Sequence, residues 1–174
     1  LYKLFLFIKF IKRRADQFDT INNMKKYAQI GAKNPFFMNF INRNNLYNDL
    51  ESIKKISKYI FNHVTFEKDD SSRQIIRYGT KALRDKKGNC VDYSVLLSQF
   101  LINLNVPHSF KMVATESNDK NNYNHIYLTL DNYNLPIDLV IGQDQTGNEK
   151  YKDKRYMYLF EEVPHYKSSK LKVI

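Results

Sequence analysis

GNCVDYSVLL, residues 88–97, combines a helix breaker, a helix cap and the start of an apolar helix. Gly88 interrupts the charged segment before it, and Asn89 is a residue type that favours the N-cap position. Apolar side chains then recur three and four residues apart as far as Leu104, which predicts a mostly buried helix from Cys90 to about Leu104. Residues 105–107, with sequence NVP, end this helix.

Cys90 would occupy the first turn of that helix. Backbone N–H groups and the positive end of the helix dipole stabilise a thiolate there, and the same groups can bind an oxyanion. Asp92 stands at the third helical position, where a carboxylate can bond back to the cap backbone, although its negative charge opposes a thiolate. A lone cysteine is more often a buried apolar residue, but this local context favours a nucleophile.

A nucleophilic cysteine needs a base, and the chain has four histidines: His63, His108, His125 and His165. Only His125 begins a strand-like segment after a polar loop, while His63 and His108 fit structural or solvent-facing positions. Residues 131–134 provide a turn between strands 125–130 and 135–140, and such a hairpin can place Asp138 beside His125. A carboxylate there would fix the imidazole tautomer and support the imidazolium.

These residues resemble the signature of the transglutaminase-like superfamily. The stretch 88–97, the following NVP, His125 in an apolar strand and Asp138 in the next one match that family in order and approximate spacing, over residues 66–142. The resemblance implies a papain-like core, with the cysteine helix packed on an antiparallel sheet. It also implies acyl transfer through a thioester on Cys90, that is, proteolysis, amide hydrolysis or crosslinking.

The rest of the chain predicts an α+β fold, because helical patterns come first and strands follow. A helix is expected over 46–63, an Asn-rich connector over 39–48, a short helix or turn through Ile76 and Leu83, and strands over 109–114 and 156–163. We therefore predict an N-terminal helical arm over residues 1–45 and a transglutaminase-like cysteine-hydrolase domain over residues 46–174.

Residues 1–11 are apolar, with two lysines, and predict an amphipathic helix. The run is too short to span a bilayer, and basic residues follow it where a signal peptide would have small ones. We expect residues 1–14 to dock on protein, within the domain or in a homo- or hetero-oligomeric assembly, in preference to a membrane surface. The expected location is a reducing compartment such as the cytoplasm, or a virus particle.

The chain has 174 residues, a formal net charge of +10 and one cysteine. An intrachain disulfide and a Cys-rich zinc site are therefore excluded, and the expected chemistry needs no metal or cofactor. The charge favours contact with nucleic acid or another anionic polymer, although a Lys- and Asn-rich composition also follows from AT-rich coding.

Two functions are favoured from the sequence, and a third, binding to nucleic acid through a basic surface, also remains open. The first is a cysteine protease or amidase acting on protein or peptide substrates through Cys90, His125 and Asp138, with hydrolysis favoured over crosslinking. The second is a structural or assembly protein, for example of a virus particle, that keeps the scaffold with little or no catalysis. The reactivity of the Cys90 thiol distinguishes them.

Overall fold

A computed structural model of the chain describes residues 8–12, 17–68, 73–113, 125–140 and 172–173. Helices and strands are mixed along these residues, which confirms the α+β class. The helices are α1 (Gln17–Ala32), α2 (Pro35–Arg43), α3 (Leu50–His63), α4 (Gly79–Asp85) and α5 (Cys90–Asn103). The strands are β1 (Ile8–Lys12), β2 (Thr65–Phe66), β3 (Arg73–Arg77), β4 (Lys87–Gly88), β5 (His108–Val113), β6 (His125–Leu130), β7 (Leu135–Ile137) and β8 (Lys172–Val173).

Helix α5 lies at the centre of the core. Residues 91–101 are all buried, and the helix contacts α1, α2, α3, α4 and β6. The predicted helix over 90–104 is thus confirmed, and it ends at Asn103. Phe100 is an example of this packing, because its ring forms edge-type contacts with the rings of Phe36 and Phe37 from α2. Truncating such a buried aromatic residue to Ala costs about 3–5 kcal/mol.

One side of α5 packs on an antiparallel sheet with strand order β7-β6-β5-β8. The predicted turn over 131–134 joins β6 to β7, and Asn134 adopts a left-handed conformation there with φ of 48°. This hairpin pairs Leu128 with Ile137. The strand predicted over residues 135–140 is shorter than expected, because β7 ends at Ile137 and Asp138 lies just after it.

The helices before α3 extend further than the sequence predicts. The predicted connector over 39–48 is wrong for its first half, because α2 continues to Arg43. Asn34 caps α2 through a side-chain bond to the Phe36 N–H, and Pro35 occupies its first turn, where its missing N–H costs nothing. The helix predicted over 46–63 is confirmed from Leu50, where the Asp49 side chain caps it.

The predicted N-terminal helix is wrong over residues 8–11, which belong to strand β1. This strand pairs antiparallel with β3, with Phe10 opposite Ile75. Isoleucine and phenylalanine fit an extended, paired backbone well, and the partner strand is remote in sequence, so local pattern alone did not reveal it. The prediction for Ile76 is also wrong: it was expected in a helix or turn, but it lies in β3. Residues 1–7 and 13–14 lie outside the described residues.

Helices α1 and α2 bury Ile21, Met24 and Phe37 in the same core as α5. The division into an arm over 1–45 and a domain over 46–174 stays a prediction, as does assembly through residues 1–14. The strand predicted over 156–163 lies outside the described residues. Across the described part of the chain, no helix is both long and apolar enough to cross a membrane.

Candidate active site

Cys90 is the first residue of α5 and is partly exposed. The Asn89 side chain accepts the Asp92 N–H at 3.0 Å, and the Asp92 carboxylate accepts the Asn89 N–H at 3.1 Å. This reciprocal capping box fixes where the helix begins, as the sequence predicts. The thiol is consequently held in the first turn, beside the backbone N–H groups at the positive end of the dipole.

His125 and Asp138 meet across the β6–β7 hairpin. His125 is the first residue of β6, and its Nε2 lies 2.6 Å from Oδ2 of Asp138. The other carboxylate oxygen, Oδ1, accepts the Val140 N–H at 2.9 Å, so Asp138 is held from both sides. Only 1% of Asp138 and 8% of His125 is exposed, and water therefore competes little for their bond.

The Cys90 thiol lies within hydrogen-bonding and electrostatic reach of His125. Because Nε2 is bonded to Asp138, a proton exchanged between the ring and the thiol would have to pass through Nδ1. Burial by itself lowers the pKa of His125, but the charge and hydrogen bond of Asp138, with smaller contributions from Cys90, raise it to about 10. The imidazole is therefore held in its charged form at neutral pH.

The structure thus brings together all three residues that the sequence singles out. The structure also places Arg77, the last residue of β3, next to Asp92; the sequence alone indicates no role for this arginine. The Arg77 N–H donates to Asp92 Oδ1 at 2.7 Å, and its guanidinium forms a buried ion pair with Oδ2. No local pattern predicts this contact, because Arg77 and Asp92 are fifteen residues apart in different elements.

The comparisons with known proteins bear on the same residues. The family model described as a transglutaminase-like domain matches residues 18–142, which is 125 of the 174 residues. The chain belongs to the transglutaminase-like domain family. No curated protein and no solved structure gave a match. The family match begins at residue 18 and so includes α1 and α2, whereas the resemblance seen in the sequence began at residue 66.

In this transglutaminase-like domain, Ser94 and Tyr127 surround the three residues. The Ser94 hydroxyl donates to the Cys90 carbonyl at 2.8 Å. Burial, together with the negative charge of Asp138, raises the pKa of Tyr127 to about 12. Tyr127 therefore stays a neutral phenol beside Asp138, and its ring centre lies 6.4 Å from that of His125.

The other histidines of the domain have different surroundings. His63 is exposed, with Nδ1 2.8 Å from the Tyr59 carbonyl. His108 contacts Ser98 and the Val106 carbonyl at the far end of β5. His165 lies outside the described residues. Among the side chains that the structure describes, no group of three or more His, Cys, Asp or Glu could hold a metal ion.

Proposed function

We propose that this domain is a cysteine-dependent acyl-transfer enzyme, with Cys90 as nucleophile, His125 as general base and acid, and Asp138 as the residue that orients His125. One observation carries the proposal. A buried imidazole bonds a buried carboxylate through Nε2 at 2.6 Å, and the thiol at the start of α5 is within reach of the same ring. Nucleophile, base and orienting acid are the parts that thiol acyl transfer requires.

In the proposed reaction, His125 already holds the proton of the Cys90 thiol as an imidazolium, and the thiolate Sγ attacks the carbonyl carbon of an amide or ester. Backbone N–H groups in the first turn of α5 are suited to bind the oxyanion. When the tetrahedral intermediate collapses, the carbon–nitrogen or carbon–oxygen bond breaks and the imidazolium gives its proton to the leaving group. A water molecule, deprotonated by His125, then cleaves the thioester and regenerates the thiol.

Hydrolysis of a protein or peptide substrate is the form of this reaction that we favour over crosslinking. Cys90 is partly exposed, so water can reach a thioester formed on it. Crosslinking requires an amine to compete with water at that position, which is easier in a site closed to solvent.

The proposal is tested by alkylating Cys90 with iodoacetamide between pH 5 and 9. Because the chain has one cysteine, intact mass reports this residue alone. We expect rapid alkylation near pH 6, where an unperturbed thiol is mostly protonated, and a loss of about a hundredfold in His125→Ala. His63→Ala, at an exposed histidine on α3, is the matched control and should behave as wild type.

A second measurement separates reactivity from turnover. Incubation with an activated peptide ester should give a mass increase equal to the acyl group, and Cys90→Ser should abolish the thioester. A thiol that is inert at pH 6 in the folded wild type would contradict the enzyme proposal. That result would favour the assembly role.

A further inference from the structure

We infer that Arg77 is a positioning residue for Cys90: it balances the charge of Asp92 and ties the start of α5 to the end of β3. The inference rests on the proposed function, because it concerns the reactivity of the same thiol. Asp92 lies two residues after Cys90, and the sequence alone suggests that its charge opposes a thiolate. The structure supplies the balancing cation.

The Asp92 carboxylate is completely buried and has three donors. The Arg77 N–H donates at 2.7 Å, the Asn89 N–H donates at 3.1 Å, and the guanidinium adds a charged bond. Gly88 lets the carboxylate come this close to the chain, because a Cβ on Gly88 would lie 2.8 Å from the Asp92 Cβ. The glycine before the cysteine therefore has a packing role that concerns Asp92.

A further bond ties the cap residue of α5, Asn89, to the same strand. The Asn89 side chain accepts the Asp92 N–H through its oxygen and donates to the Ile75 carbonyl of β3 through its nitrogen. Both residues that cap α5 are consequently bonded to β3, at Ile75 and at Arg77. Small shifts of this strand would move the first turn of α5, where Cys90 lies.

Among the residues that the structure describes, Arg77 is the cation that acts on Asp92. Lys87 of β4 pairs with Glu67, Lys81 of α4 pairs with Asp85, and His125 of β6 pairs with Asp138. Burial raises the pKa of Asp92 to about 6, although Arg77 and the backbone donors pull it down. Asp92 is therefore mostly ionised at pH 7, and Arg77 is the charge that does most to keep it so. Without Arg77 the pKa of this buried carboxyl would rise, and the group would take up a proton near neutral pH.

Two single substitutions should change the pH profile of Cys90 alkylation to different extents. Asp92→Asn leaves the guanidinium unbalanced, so the midpoint should fall by about one pH unit. In Arg77→Met the buried Asp92 carboxyl takes up a proton at pH 6 and does not stay charged, so the midpoint should move by less than about half a pH unit. The double variant Arg77→Met/Asp92→Asn should return towards the wild-type midpoint, because both charges are gone.

Thermal unfolding of each variant is measured alongside, since both single changes break buried bonds and should lower the melting temperature. A purely structural role predicts that both single variants lose reactivity in the same direction and that the double variant does not recover. That outcome, or an unchanged midpoint in a folded Asp92→Asn variant, would overturn the inference. If the wild-type thiol itself is inert at pH 6, the proposed function fails instead, which is a distinguishable result.

Discussion

The two ends of the β5–β6 pair carry two similar arrangements with different chemistry. His125 lies opposite Val113 at one end, and His108 lies opposite Leu130 at the other. Each histidine meets a potential nucleophile on α5: the thiol of Cys90 is within reach of His125, and the Ser98 hydroxyl lies 2.7 Å from Nε2 of His108. The same helix and the same strand pair therefore build a Cys–His and a Ser–His contact.

The two arrangements differ in the third group, the one that bonds the other nitrogen of each histidine ring. At His125 it is the Asp138 carboxylate, whereas at His108 it is the Val106 carbonyl, 2.7 Å from Nδ1. A carbonyl only accepts, so Nδ1 of His108 carries the proton and Nε2 accepts the Ser98 hydroxyl. Burial lowers the pKa of His108, and its hydrogen bond to Val106 and the charge of Asp131 only partly oppose this. A full negative charge is needed to keep a buried histidine charged, and a carbonyl does not provide it, so burial keeps His108 neutral.

Removing the carboxylate should have the largest effect. In Asp138→Asn the amide can hold the ring but provides no charge, and it permits the wrong tautomer, so Cys90 alkylation at pH 6–7 should fall at least about a hundredfold. Asp131→Asn, in the exposed turn of the same hairpin, is the control and should leave the rate unchanged. A fall of less than about tenfold in a folded Asp138→Asn variant would show that Asp138 does not govern the thiol.

The charge on His125 should also make the free energy of unfolding depend on pH. Its folded pKa of about 10 lies above the unfolded value of about 6.5, so the folded state holds the proton more tightly. This stabilisation is complete below pH 6.5 and is lost as pH rises towards 10, an effect on the order of a few kcal/mol. Urea unfolding at pH 6, 8 and 10 should show this decline in wild type, and His125→Gln should reduce it. Parallel curves for the two proteins would contradict the raised pKa.

The sequence was sufficient for features set by local pattern. Asn89, Cys90 and Asp92 are close enough in the chain for capping rules to predict their geometry, and turn residues 131–134 predict the hairpin that joins His125 to Asp138. The α+β class follows from the order of helical and strand-like segments. These contacts span at most thirteen residues.

Features set by distant partners were missed. Residues 8–12 form a strand because they pair with β3, which lies more than sixty residues later. The pattern of apolar residues within the segment does not predict this strand. Arg77 acquires its role from Asp92 in another element, and the Ser98–His108 contact forms only when α5 packs on β5. The resemblance likewise omitted α1 and α2, which the family match includes and which add to the core but carry none of the three proposed site residues.

The smallest expected effect concerns His108 and has the opposite sign to that of His125. Its folded pKa is lowered, so as pH falls below about 6.5 the unfolded chain takes up the proton before the folded chain does, and stability is lost on the acid side. The difference in unfolding free energy between wild type and His108→Gln should therefore shrink between pH 7.5 and pH 5, with the exposed His63→Gln as control. A difference that stays constant, or grows on acidification, would show that His108 is protonated in the folded protein. The two ends of the strand pair would then no longer differ in the charge of their histidines.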